Sequence, residues 1–559
     1  MAWIPKFTQM KSSRHYSLAR LVAAALLGTL SSLANTQAQS DSTPPRPNIV
    51  YILCDDLGYG DIKVLNPKHG KIATPNVDRL AEQGMTFTDC HASASICTPS
   101  RYSILTGRYA WRTKLRAGAL PQDASPLLER DRLTVGELLQ QNGYTTAALG
   151  KWHLGMAYDK TDYSKPITDG PLQHGFDYFF GIAASLDMPL YVFIENNRFT
   201  AIPTVQKEFP SFMYGTNATR GPVRLGPATP DFEAVDVLPK LTSKAVSYIH
   251  DRAADKKPFF LYLALASPHT PVVPTKEWQG KSSIGPYGDF VMQTDWSVGQ
   301  VVKALDDAGL RENTLVVFTS DNGVAPYINI EGLEAAGHYP SAQFRGYKSD
   351  VWDGGHRIPF IARWPGNIKP GSQSDQIVGL FDLMATCADI LKVKLPANAG
   401  EDSASLLPAF LGTAKQPLHE AIVSHSGGNG RFSIRQGDWK LALCPGSGGW
   451  GQPSDAKARD EGLPSIQLYD LRADAGETKN IEGKNAQVVT NLLTVLEKFV
   501  ADGRSTPGPR QTNDVAVDIW GERNRETSAV RRRKLDTTSQ GKVLSENTPV
   551  KTQTSSQQQ

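Results

Sequence analysis

Residues 48–54 (NIVYILC), running into Asp55-Asp56-Leu57-Gly58-Tyr59-Gly60-Asp61, decide how the rest of the chain reads. A short apolar run without alternation is the pattern of a strand covered on both faces, and this one stops at two carboxylates. Three later runs stop in the same way. Residues 144–149 (YTTAAL) end at Gly150-Lys151-Trp152-His153, residues 259–266 (FFLYLALA) at Ser267-Pro268-His269, and residues 314–319 (TLVVFT) at Ser320-Asp321-Asn322-Gly323. Helix signals lie between them. Thr74-Pro75 and Gly84 bracket NVDRLAEQ, Gly143 follows a helical stretch over 134–141, and residues 243–252 and 297–308 also read as helix. Strand and helix in turn predict an α/β fold: a large, mostly parallel central sheet flanked by helices, with its ligand site beyond the carboxyl ends of the strands. Four strand ends are therefore expected to bring carboxylates, an amide, a lysine and two histidines to one crevice.

From residue 408 to 421 the pattern loosens, and short stretches beyond it (432–435, 440–443, 467–471) are separated by Gly, Pro and Asp. A smaller antiparallel sheet is expected there, with a helix over 491–499 packed on it. The expected organisation is a catalytic domain over 39–410 and a smaller C-terminal one over 411–522. Residues 523–559 hold eight bases and three acids and end in TQTSSQQQ, the composition of a disordered tail.

Composition narrows the function classes. The chain has 559 residues, 40% hydrophobic and 21% charged, which excludes a disordered or fibrous main body. Its net charge is +3, but residues 1–38 hold four bases (Lys6, Lys11, Arg14, Arg20) and no acid, so the remainder carries −1. Electrostatic capture of nucleic acid is not expected of such a chain. The bases of the first segment precede an uncharged stretch over 21–34 (LVAAALLGTLSSLA) and the small-x-Ala pattern Thr36-Gln37-Ala38, which reads as an export signal. That stretch is shorter than the ~18 residues a membrane-crossing helix needs. The expected protein is exported, periplasmic or secreted, without stable membrane insertion; an uncleaved anchor is the alternative. Five cysteines (Cys54, Cys90, Cys97, Cys387, Cys444) are widely spaced and form no C-x-x-C, so neither a zinc knuckle nor a dense disulfide framework is expected.

Cys97-Thr98-Pro99-Ser100-Arg101 places a proline where the first turn of a helix accepts it, which puts Cys97 at a helix N-terminus and Arg101 one turn along. This C-x-P-x-R pattern resembles the signature of the formylglycine-dependent sulfatases, on the alkaline-phosphatase-like fold. The resemblance spans roughly residues 46–515: the Asp55–Asp61 stretch, residues 150–155 (GKWHLG), Ser267-Pro268-His269, residues 320–323 (SDNG), Arg345-Gly346-Tyr347-Lys348 and residues 468–481 (LYDLRADAGETKNI) match family patterns in order. Asp353 departs from it, since many members carry Glu there.

Asp55, Asp56, Asp321 and Asn322 offer oxygen ligands and no zinc-spaced histidine cluster accompanies them, so a hard cation is expected: calcium, with magnesium as the alternative. An oxygen of the modified Cys97 would join this set. The resemblance implies that a maturase oxidises Cys97 to formylglycine. It implies further that Arg101 favours the attacking oxyanion, that Lys151, His269 and Lys348 hold sulfate oxygens, and that His153 deprotonates the second hydroxyl of the aldehyde hydrate. His269 or Lys348 would protonate the leaving oxygen.

Residues 185–196 (SLDMPLYVFIEN) mix an acid with aromatics, which suits either a sugar or core packing. The chain is similar to bacterial carbohydrate sulfatases akin to N-acetylgalactosamine-6-sulfatase. That implies a sulfated polysaccharide fragment, with a 6-O-sulfated galactose-type sugar among the candidates and Asp187 and His356 near it. Residues 446–451 (GSGGWG) form either a rim of the same pocket or a flexible loop. Two rivals are a phosphoesterase of the same superfamily, which needs a Ser or Thr nucleophile and His-rich zinc sites, and a catalytically inert sulfated-glycan-binding protein.

Overall fold

The computed structural model describes residues 46–213, 223–255 and 257–521; the expected export signal and tail lie outside the described residues. Ten strands form one sheet whose centre is five parallel strands in the order Thr314–Ser320, Asn48–Asp55, Phe259–Pro268, Thr145–Lys151 and Tyr178–Ile182. Toward its edges antiparallel pairs enter: Phe360–Arg363 and Met85–Phe87 lie on one side, with Ser372–Ser374 parallel to the latter at the margin, and Ile194–Glu195 and Arg198–Phe199 on the other. The sheet is thus mixed, with its parallel part where the functional strand ends lie. Register aligns those ends, because Cys54 stands opposite Ser320, Asp55 opposite Pro268, and Gly150 opposite Ala264.

The first strand shows why the sheet is covered twice. Ile49, Tyr51 and Leu53 pack with Tyr102, Leu105 and Leu138 on one face, while Val50, Ile52 and Cys54 pack with Leu241, Phe290 and Val301 on the other. The helix on the second face, Pro286–Asp307, begins well before the sequence signal at 297. Its early turns bury Asp289, Gln293, Thr294 and Asp295, which break the apolar period. Each has a partner: Asp289 accepts from the Gly280 and Ser282 amides, Asp295 from those of Asn76 and Val77, Gln293 accepts from the Thr275 amide, and Thr294 donates to Ser267 Oγ.

The smaller sheet is antiparallel, in the order Ile422–His425, Phe432–Gln436, Trp439–Ala442, Gln467–Asp470. Helix Ala486–Ala501 buries Val489, Leu492, Leu496 and Phe499 against Val423, Ile434, Leu441 and Leu468. Tyr109, Trp111 and Phe381 join that same core from turns outside the smaller sheet. No described helix is long and apolar enough to cross a membrane.

Candidate active site

Cys97 opens helix Cys97–Thr106, every residue of which is buried, and Gly107 ends it at φ 64°. Cys97 lies within electrostatic reach of Lys151, Lys348, Asp321 and Asp55. Burial pushes its thiol up, against the pull of Lys151 and Lys348. Left as cysteine, this residue is a poor thiolate nucleophile.

Three buried carboxylates, Asp55, Asp56 and Asp321, belong to the same cluster. Lys151 Nζ donates to Asp55 Oδ1 and Oδ2 at 2.9 and 2.8 Å. Asp56 accepts from Lys348 Nζ at 2.7 Å, from Tyr327 Oη at 3.0 Å and from Asn322 Nδ2 at 2.8 Å. Arg101 donates through Nε to Asp321 Oδ2 at 2.9 Å and through Nη1 to the Lys151 carbonyl at 3.0 Å, and its Nη2 lies 2.7 Å from Asp321 Oδ2 as an ion pair. Burial raises all three carboxyls, yet Lys151 and His269 hold Asp55 below the usual range, and Lys348 and His269 do the same for Asp56. At Asp321 burial wins over Arg101, with Asp55 adding to the rise. Lys348 is lifted well above its ordinary value, because Asp56 outweighs burial.

Asn322 Nδ2 donates to Asp56 Oδ1 and to the Gly323 carbonyl, which leaves its Oδ1 buried without a hydrogen-bond partner. A partnerless amide oxygen among three buried carboxylates is the environment that an oxygen-ligated divalent cation satisfies. Asp55, Asp56, Asp321 and Asn322 therefore fit such an ion.

Two histidines border the cluster. His153 Nε2 lies 2.8 Å from the Leu120 carbonyl, and its Nδ1 is buried without a partner. Burial, then Lys151, holds this imidazole well below its ordinary pKa, so it is neutral with Nδ1 as a free acceptor. Leu120 also donates its amide to Thr98 Oγ1 at 3.1 Å, tying His153 to the Cys97 helix. His269 contacts the Thr270 carbonyl through Nδ1 at 2.6 Å; its Nε2 lies 3.3 Å from Tyr327 Oη and 3.4 Å from Asp56 Oδ2. Asp56 and His153 sit at φ 63° and 55°, and Ser349, after Lys348, at 80°. Such left-handed positions cost of order 1–3 kcal/mol each for ordinary side chains and cluster at functional sites.

The sequence-derived residues thus divide. Cys97, Arg101, Lys151, Lys348, His269 and the four candidate oxygen ligands come together, with His153 beside them. Asp187 lies near, since its charge acts on Tyr327; its Oδ2 pairs with Arg224 Nη1 at 3.2 Å and its Oδ1 is buried without a partner. His356 lies in a different group. Its Nδ1 meets His91 Nδ1 at 2.9 Å and its Nε2 the Val351 carbonyl and Lys440 Nζ, both at 3.2 Å, so neither ring nitrogen is turned to a ligand. Around that pair Lys440 bridges Asp353 and Glu477 at 2.7 and 2.8 Å, and Arg435 and Arg357 hold Asp89 at 2.7 and 3.1 Å. Every ring nitrogen of His91 and His356 already has a partner, which makes the group a charge network rather than a metal site. The network does support the turn that carries Asp321 and Asn322, because Asp353 starts the short helix Asp353–His356, whose Gly355 carbonyl accepts from the Gly323 amide at 2.9 Å.

Sequence reading missed Tyr327, whose hydroxyl meets Asp56, His269 and Lys348; a tyrosine in the irregular stretch after a Ser-Asp-Asn-Gly turn carries no periodic signal.

Comparison with known proteins agrees with this geometry. The sulfatase family model matches residues 47–393. N-acetylgalactosamine-6-O-sulfatase of Bacteroides thetaiotaomicron is 34% identical over 505 residues, covering 83% of this chain and 95% of that protein. Human arylsulfatase A is 33% identical, covering 85% and 92%. A solved structure from work on glycosaminoglycan metabolism by Bacteroides thetaiotaomicron superposes with a TM-score of 0.72 at 32% identity, covering 81% of this chain and 99% of the other. With a family model spanning more than half its length and relatives above the thirty-per-cent level across nearly their whole lengths, this chain belongs to the sulfatase family and is a sulfuric ester hydrolase.

Proposed function

We propose that the chain removes O-linked sulfate from a carbohydrate, as an exported enzyme acting on fragments of a sulfated polysaccharide, with a 6-O-sulfated galactose-type sugar as first candidate. The relatives named for N-acetylgalactosamine 6-sulfate support that substrate class. The observation that carries the chemistry is the gathering of Cys97 with three carboxylates, two lysines and Arg101 at aligned strand ends.

Formylglycine made from Cys97 would supply a hydrate with two hydroxyls on one carbon, one to attack sulfur and one to expel sulfate. A bound divalent cation, calcium or alternatively magnesium, would lower the energy of the attacking oxyanion. Asp55, Asp56, Asp321 and Asn322 are the residues to hold that ion. Arg101, fixed by Asp321 and the Lys151 carbonyl, adds positive charge beside position 97. Lys151, Lys348 and His269 are placed to bind sulfate oxygens and spread the charge that develops on them. His153 is the base for the second hydroxyl: neutral, buried, with a free Nδ1. His269 or Lys348 protonates the leaving sugar oxygen. Cys97 is 2% exposed, so a maturase would act before the chain closes over it.

The test is to produce the chain with a formylglycine-generating maturase, weigh the peptide containing position 97, and measure turnover on positionally defined sulfated mono- and disaccharides beside an aryl sulfate and a phosphate ester. The expected result is an aldehyde at 97, hydrolysis of a sulfated sugar, loss of turnover in Cys97→Ala, and loss on chelation with recovery on added calcium. Full activity with an unmodified thiol, or preference for the phosphate ester, would overturn the reading.

A further inference from the structure

Among the described tryptophans only Trp450 is exposed, at 46%. A single exposed apolar side chain is ordinary on a protein surface; what singles out Trp450 is its place beside the polar site. Its ring centroid lies 6.4 Å from that of Tyr327, tilted by 46°, and Tyr327 reaches Asp56, His269 and Lys348 with its hydroxyl. One aromatic ring thus separates Trp450 from the groups assigned to sulfate.

The loop that presents the indole is rigidly held. The Gly451 amide donates to Asp350 Oδ1 at 2.7 Å, Ser447 Oγ donates to the Gly451 carbonyl at 2.9 Å, and the Val351 amide donates to the Ser447 carbonyl at 2.8 Å. A Cβ on Gly449 would meet the Ser349 carbonyl oxygen at 2.1 Å, so only glycine lets this loop lie on the segment that carries Lys348. Asp350 is the shared anchor: its Oδ2 also accepts from the Tyr347 amide at 3.2 Å. Trp450 and Lys348 are therefore fixed relative to each other, and a ligand stacking on the indole orders little of the protein.

We propose that Trp450 is a specificity-determining platform on which the sugar next to the sulfated one stacks its apolar C–H face. With Tyr327 between the indole and Lys348, that sugar would lie beyond the sulfated one. Indole faces offer large area at low rotamer cost, which suits an uncharged pyranose face. This inference rests on the carbohydrate reading above and adds the unit that reading leaves unassigned.

The experiment compares kcat/KM for a sulfated disaccharide with that for the matching sulfated monosaccharide in the matured wild type, Trp450→Ala and Trp450→Phe. The disaccharide-to-monosaccharide ratio is expected to fall roughly three- to tenfold in Trp450→Ala, chiefly through KM, and to fall less in Trp450→Phe. A ratio unmoved in Trp450→Ala, or an equal loss on both substrates, overturns the platform while leaving the sulfatase assignment intact. Wild type that hydrolyses an aryl sulfate but neither sugar overturns the carbohydrate reading instead.

Discussion

Replacing Lys440 with methionine tests whether the charge network behind the active site is a structural necessity. Lys440 is 1% exposed, and its ammonium is shared by Asp353 Oδ1 at 2.7 Å and Glu477 Oε1 at 2.8 Å. Asp353 keeps Arg357 at 3.1 Å when Lys440 is gone, but Glu477 is left with no cation of its own among the described ion pairs. Removing one partner of a buried pair costs about 3–5 kcal/mol, because the other charge stays desolvated. Glu477 softens this by taking a proton. Burial, against the pull of Lys440, already lifts its carboxyl to about 7, above the unfolded value of 4.5. A raised folded value gives stability that is fully present below the unfolded pKa and is lost as pH rises through the folded one. Losing Lys440 lifts the folded value further and carries that window upward. The expected destabilisation is therefore about 3–5 kcal/mol near pH 9, shrinking by about 1.4 kcal/mol per pH unit once Glu477 protonates. Urea midpoints from pH 6 to 9 read this directly, and Glu477→Gln in the same chain should restore much of the alkaline loss by removing the stranded charge. A cost below about 1 kcal/mol at every pH, or no recovery in the double variant, would refute the argument.

Two further outcomes are expected. His153→Ala should lower kcat by about 10²–10⁴-fold with a smaller change in KM, and because His153 stays neutral through pH 6.5, the acid limb of the wild-type profile should fall below that value; a limb at pH 7 or above would remove His153 as the base. Gly323→Ala puts a Cβ 2.0 Å from the Gly354 carbonyl oxygen, so the turn holding Asp321 and Asn322 must shift. Calorimetric calcium titration and turnover should weaken together, and unchanged calcium affinity would show that the turn has room to spare.

Where chemistry sat at the end of an uninterrupted apolar run, the chain's fold and site were both legible. Asp55 and Lys151 end, and His269 and Asp321 directly follow, strands that are buried almost throughout. Legibility failed where buried polar groups satisfy one another across long sequence separations. Helix Pro286–Asp307 read as less than its length for that reason, and strand Ile422–His425 went unrecognised beside a glycine-rich turn. His356 was placed near the sugar by the resemblance alone; its partners, His91 and Lys440, come from segments far away in the chain. Tyr327 was silent because an isolated aromatic in a loop shows no period, whereas Trp450 lies in the 446–451 stretch that read as either a pocket rim or a flexible loop.

The partnership between Lys440 and Asp353 bears on how this enzyme can be taken apart. The family match ends at residue 393, yet cations that neutralise Asp89 and Asp353 come from Arg435 and Lys440, and Arg108 reaches Asp514 at 2.9 Å. Cutting the polypeptide at the edge of the recognised region would strip counter-charges from the interior of what remains. Shuffled enzymes that borrow a foreign C-terminal portion must bring residues at 435, 440 and 477 that match those retained at 89 and 353.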